Sequence, residues 1–102
     1  MEKVITTQWQ DFVVYGDQRP SPQTLAENER LRVIIAGLNP GQRIPVHAEA
    51  AAVYTILEGQ GIMTVNENHF PVQPGSVIVT NEGDLRGFQV DQKLIFMAVR
   101  LA

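Results

Sequence analysis

The chain has 102 residues, enough for one domain with a modest core and no second domain. Its 44% hydrophobic and 19% charged residues are those of an ordinary soluble globular protein, and a net charge of −3 gives no basic excess for nucleic acid or an anionic membrane. With no cysteine, disulfides, thiol chemistry and cysteine-ligated zinc are excluded.

No apolar run approaches the roughly 20 residues of a membrane span. The opening MEKVITTQWQDF lacks the apolar core and small-residue cleavage site of a signal peptide, so a cytoplasmic protein is expected. Val4 to Tyr15 is rich in strand formers, and Phe12–Tyr15 is predicted as a short strand ended by Gly16-Asp17. Arg19 to Glu29, with Pro20 and Pro22, reads as a surface loop, with Ala26–Glu29 either a polar turn or one turn of helix.

Leu31–Leu38, LRVIIAGL, is a nearly continuous apolar strand that suggests burial on both faces. After the turn Asn39-Pro40-Gly41-Gln42 comes an extended run carrying His47 and Glu49, then a strand over Ala52–Leu57 and a turn over Glu58–Gly61. Ile62–Val65 and His69–Val72 flank Asn66-Glu67-Asn68, the best hairpin signal in the chain. Pro74-Gly75 turns into a strand over Ser76–Thr80, and Asn81–Asp84 turns again. Leu85–Val90 and Lys93–Leu101 are the last two strands. Short strands with turn signals at intervals of about 8–12 residues predict an all-β sandwich or barrel.

Two stretches carry a resemblance. In the first, Gly41 is followed after five residues by His47, then after one more by Glu49, and the stretch closes on Gly59. In the second, Gly75 and Gly83 stand in the turns on either side of the strand Ser76–Thr80, with Arg86 three residues after Gly83 and Val90 four residues after Arg86. This framework resembles the two motifs of the cupin family and covers about Leu31 to Leu101. The resemblance implies a single-domain, cupin-like jelly-roll β-barrel over residues 1–102. It also implies that the chain dimerises, with the strand from Val4 to Tyr15 crossing to a partner subunit. Exposed sheet edges would give such a dimer a physical reason.

The family's usual metal ligands are poorly kept. Of the four positions only His47 survives as itself; Glu49 replaces the second His, Ala52 the Glu and Arg86 the His of the second motif. Ala52 offers no donor atom, and a guanidinium cannot coordinate a cation. His47 and Glu49 are weak candidates for metal ligands, short of the three that a transition metal needs. No metal or other cofactor is expected. His69, the only other histidine, lies beside the hairpin and is expected outside.

Arg86 is then the informative residue, because a buried guanidinium must be paired. Three placements are open: paired with Glu49 across the barrel, receiving a ligand's carboxylate or phosphate together with His47, or lying in water at the barrel mouth. Strand alternation puts Tyr54 and Ile56 on the side of Ala52, and Phe88 and Val90 on the side of Arg86. Met63, Phe96 and Met97 are further wall candidates. Glu58, Glu67, Glu82 and Asp84 fall in predicted turns and read as solvated surface charges, and the basic residues look scattered along the chain.

The expected function is binding of a small polar or anionic ligand inside the barrel without a metal, with His47, Glu49, Arg86, Tyr54, Ile56, Phe88 and Met63 as ligand-binding candidates. Two alternatives stand beside it. One is an oxygenase- or isomerase-type cupin enzyme working through a metal or a His47–Glu49 acid/base pair. The other is a structural or regulatory barrel that binds nothing.

Overall fold

The computed structural model describes residues 7–102. A single 3-10 turn, Trp9–Asp11, precedes nine strands. They are β1 (Gln23–Glu27), β2 (Leu31–Leu38), β3 (Arg43–Ala48), β4 (Ala52–Gly59), β5 (Gly61–Val65), β6 (Asn68–Val72), β7 (Val77–Thr80), β8 (Leu85–Gln89) and β9 (Leu94–Leu101). They form a five-stranded sheet in the order β1-β2-β9-β4-β7 and a four-stranded sheet in the order β3-β8-β5-β6. Every strand pair is antiparallel, and successive strands pass repeatedly between the sheets, which is the expected jelly-roll arrangement.

The strands from Leu31 onward lie where the turn chemistry put them, within two residues at each end. Upstream, three expectations fail. Phe12–Tyr15 is not a strand: Trp9–Asp11 begins a turn, and Tyr15 makes one isolated parallel bridge to Gly37. The remainder of the expected Val4–Tyr15 strand, up to Thr6, lies outside the described residues. The loop expected over Arg19–Glu29 contains β1, which pairs with β2 through a bulge between Thr24 and Ala26. Ala26 and Glu27 are therefore extended, not helical. The long apolar strand β2 supplies the edge that recruits this polar segment, so tertiary pairing overrides its weak local propensity.

Between the sheets the inward residues build the core. Ile56, Met63, Val90, Leu94 and Phe96 are fully or almost fully buried. The second half of β2 is buried, whereas its first half, Leu31–Ile34, is only half-buried, short of the two-sided burial expected for it. On the outer face of the larger sheet, cross-strand partners line up as Val33, Val99, Val53 and Val79, and beside them as Ile35, Met97, Thr55 and Val77. Neither row holds a charge. Val53 is 40%, Val77 61% and Val79 71% exposed.

Two glycines are fixed by the geometry. Gly59 has φ +83, and a Cβ there would strike the Lys93 carbonyl. Gly87 faces a bulge in β3: Ile44 pairs with Phe88 and His47 with Arg86, so Pro45 and Val46 stand against Gly87 alone. A Cβ on Gly87 would run into the Ile44 carbonyl oxygen. The bulge also resets the alternation, so that both Ile44 and His47 reach the inner side.

Candidate functional site

Arg86 is 1% exposed on β8, and four of its N–H groups pair with backbone carbonyls. Nε donates to the Asp84 carbonyl oxygen at 3.1 Å and Nη1 to Ala50 O at 2.7 Å. Nη2 donates to Glu49 O at 3.1 Å and to Asn81 O at 2.8 Å. The guanidinium thus ties the 49–50 loop to the 81–84 turn. This corrects two of the placements open from the sequence. Arg86 meets the main chain of Glu49, not its carboxylate, and it does not lie in water at the barrel mouth. Four of its five donors are committed, so it has little left for a ligand.

The Glu49 carboxylate is engaged elsewhere. Its Oε1 accepts from Arg100 Nη1 at 2.7 Å, and its Oε2 stands 3.4 Å from His47 Nε2. On the other side of the imidazole, Nδ1 donates to the Pro45 carbonyl oxygen at 2.9 Å; a carbonyl can only accept, so this nitrogen carries a proton. His47, Glu49 and Arg100 form a chain from β3 across to β9, all three partly exposed.

This chain borders a cavity of about 390 Å³ whose wall is mostly apolar. The Phe88 and Phe96 rings stack at 4.4 Å with an interplanar angle of 10°, and Tyr54 tilts against both, at 5.7 and 5.6 Å. Ile34, Ile44 and Ala98 complete the apolar part. Burial pushes the Tyr54 phenol above its usual 10.0; the neighbouring Arg86 side chain, through hydrogen bonding first and charge second, pulls the other way and offsets this only in part.

Five of the chain's six arginines line this one cavity: Arg19, Arg32, Arg43, Arg86 and Arg100. Glu49 is the only carboxylate among the lining residues, so the wall's formal charge, counting His47 as neutral, is +5 − 1 = +4 in a chain of net charge −3. Arg32 is occupied by Thr24 Oγ1, at 3.1 and 2.8 Å, and stands 3.7 Å from Glu27. Arg19 and Arg43 have no salt-bridge partner among the described residues and are exposed.

The sequence missed this convergence, because the basic residues look scattered until the chain is rolled up. Part of the signal was present. Arg32 shares the parity of Ile34 and Ala36, and Arg100 that of Phe96 and Ala98, so both belong to inward-facing sets.

Of the candidates from the sequence, the fold brings together His47, Glu49, Tyr54, Arg86 and Phe88 around the cavity. Ile56 and Met63 face inward as expected but lie deeper, in solid core, and do not line it. Phe96 is a wall residue, whereas Met97 points to the outer face. His69 is exposed and bonded to Thr64 Oγ1 at 3.0 Å. Asp84 is more than a solvated charge: its carboxylate accepts from Asn81 N at 2.8 Å and Asn66 Nδ2 at 3.2 Å, and these bonds, that to Asn81 foremost, hold its carboxyl below the usual carboxylate range.

The donor set does not fit a transition metal. Among the described residues no three His, Asp or Glu side chains converge. Of the four motif positions, Ala52 has no donor and Arg86 is a cation locked to carbonyls. Glu49, in place of the second His, is already bonded to Arg100.

No family model matches the chain, and no curated protein matches it. Solved structures do. An RmlC-like cupin from Desulfovibrio desulfuricans superposes with a TM-score of 0.88 at 20% identity, covering 97% of each chain. A conserved protein of unknown function from Streptococcus pyogenes gives 0.81 at 22%, covering 99% of this chain and 90% of the other. A predicted oxalate decarboxylase from Thermotoga maritima gives 0.73 at 24%, covering 81% of each. The two-sheet architecture, the glycine framework and these superpositions together establish that the chain has the cupin fold.

Proposed function

We propose that the protein binds a small amphipathic anion, a flat apolar body carrying an acidic head, inside the barrel and without a metal. The charge asymmetry of the wall carries this reading: arginines gather around one cavity in a chain that is acidic as a whole. Fixed cations around low-dielectric walls focus potential and favour anionic guests. The stacked phenyl rings and neighbouring aliphatic side chains favour an apolar body. The volume of about 390 Å³ falls within the range of small-molecule sites, roughly 300–1,000 Å³.

Matched probes of opposite charge provide the test. Benzoate should raise the melting temperature in a thermal-shift titration, and benzylammonium should not. Equal shifts from both, or a larger one from benzylammonium, would remove the electrostatic basis of the proposal.

A further inference from the structure

Arg100 is only partly used. A guanidinium presents five donors in a planar fork suited to a two-pronged carboxylate contact. Here a single bond, Nη1 to Glu49 Oε1, occupies it, and its Nε and Nη2 have no partner among the described residues. Arg100 lines the cavity from the same face of β9 as Phe96 and Ala98, while Phe88 comes from the other sheet.

The carboxylate that holds it can leave without disturbing the fold. The main chain of residue 49 is fixed independently of its side chain, since Glu49 O accepts from Arg86 Nη2 at 3.1 Å and from Gly83 N at 2.9 Å. The Glu49 side chain is 30% exposed, so rotation about its own bonds takes it into water.

We infer that Glu49 is a resident competitor for the anion seat on Arg100, and that the ligand is a carboxylate taking that seat by exchange. The inference rests on the anion-binding reading above and deepens it. The seat already holds a carboxylate in this structure, which argues for that head group. A two-pronged contact on Nη1 and the unpartnered Nη2 outweighs the one-pronged contact of Glu49, and it requires Glu49 to give up Nη1. Two carboxylates on one guanidinium repel, so the incoming anion expels Glu49 toward solvent. Glu49 thereby sets the affinity threshold: only an anion offering more than one bond, or an apolar body as well, displaces it. Phe88 and Phe96 reward the second property.

The test is isothermal titration of benzoate and of benzamide, its neutral isostere, into wild type, Glu49→Gln, Arg100→Gln and the double variant, with folding checked by circular dichroism. Glu49→Gln removes the competing charge while keeping the shape. It should tighten benzoate binding by about tenfold, the scale of one partly exposed charge pair, and leave benzamide unchanged. The gain should vanish in the double variant. Arg100→Lys serves in place of Arg100→Gln if the latter fails to fold, since it keeps the charge but loses the fork and should still weaken benzoate.

Equal benzoate affinity in wild type and Glu49→Gln, with loss in Arg100→Gln, would overturn the competitor role and leave the anion reading intact. Benzoate binding that is indifferent to Arg100 would overturn this inference and leave the anion reading standing; binding no stronger than that of benzamide, or absent throughout, would overturn both.

Discussion

Replacing Arg86 by Met keeps the buried volume but removes the cation that ties two loops together. Four carbonyls lose a donor: those of Glu49, Ala50, Asn81 and Asp84. They are not equivalent. Glu49 O keeps Gly83 N at 2.9 Å, and Asn81 O keeps Asp84 N at 3.1 Å, so these two lose one bond each, about 0.5–1.5 kcal/mol apiece. Ala50 O and Asp84 O have no other donor among the described residues, and each costs about 1–3 kcal/mol if left dry. Relief of the buried charge and partial rehydration at the exposed Asn81 turn subtract from the sum. A net loss of about 3–5 kcal/mol follows, a large part of the roughly 5–15 kcal/mol of a domain's stability. At about 4 °C per kcal/mol for a chain of this size, the melting temperature should fall by roughly 12–20 °C. Urea unfolding followed by circular dichroism measures the difference directly. Arg86→Lys should rescue little, because one ammonium cannot span both loops. A loss under about 1 kcal/mol in Arg86→Met would refute the reasoning, since it would mean that water serves the carbonyls as well as the guanidinium does.

Three further outcomes are expected. Asp84, with its folded pKa depressed below the unfolded value near 3.8, contributes stability that is fully present above that value and lost as pH falls through the folded one; an acid titration of stability should therefore be shallower in Asp84→Asn, and an unchanged profile would discount the Asn81 and Asn66 bonds. Gly59→Ala should cost several times as much as Gly75→Ala: both have positive φ, but a Cβ at 59 meets the Lys93 carbonyl, whereas at 75 nothing lies within 4 Å, leaving only the strain of about 1–2 kcal/mol; equal losses in denaturant unfolding would show that the strand end at 59 yields. If two copies associate through the uncharged outer face, Val79→Glu, at its most exposed valine, should shift the sedimentation of a wild-type dimer to that of a monomer; a wild type that sediments as a monomer would set that association aside.

How much of this was legible in the sequence depended on what each residue had to specify. From Leu31 onward, turns such as Asn66-Glu67-Asn68 and Pro74-Gly75 fixed the strand ends locally, and alternation fixed which of Tyr54, Phe88 and Arg86 face inward. β1 was not legible, because Gln23–Glu27 becomes a strand only through the edge of β2. Burial of Arg86 was foreseeable; its partners were not. Backbone carbonyls carry no sequence signature, and the motif positions point instead to Glu49, whose real partner Arg100 lies 51 residues away. The bulge opposite Gly87 is similar: a lone glycine hints at close approach, but only the pairing shows that it aims His47.

The Phe88–Phe96 stack joins a strand of one sheet to a strand of the other and acts as a stopper. Below it Ile56, Met63 and Leu94 leave at most 1% of their surface to solvent. Solid core therefore closes the cavity on that side, and a guest enters and leaves on the solvent side. A saturating titration of this cavity should end at one molecule.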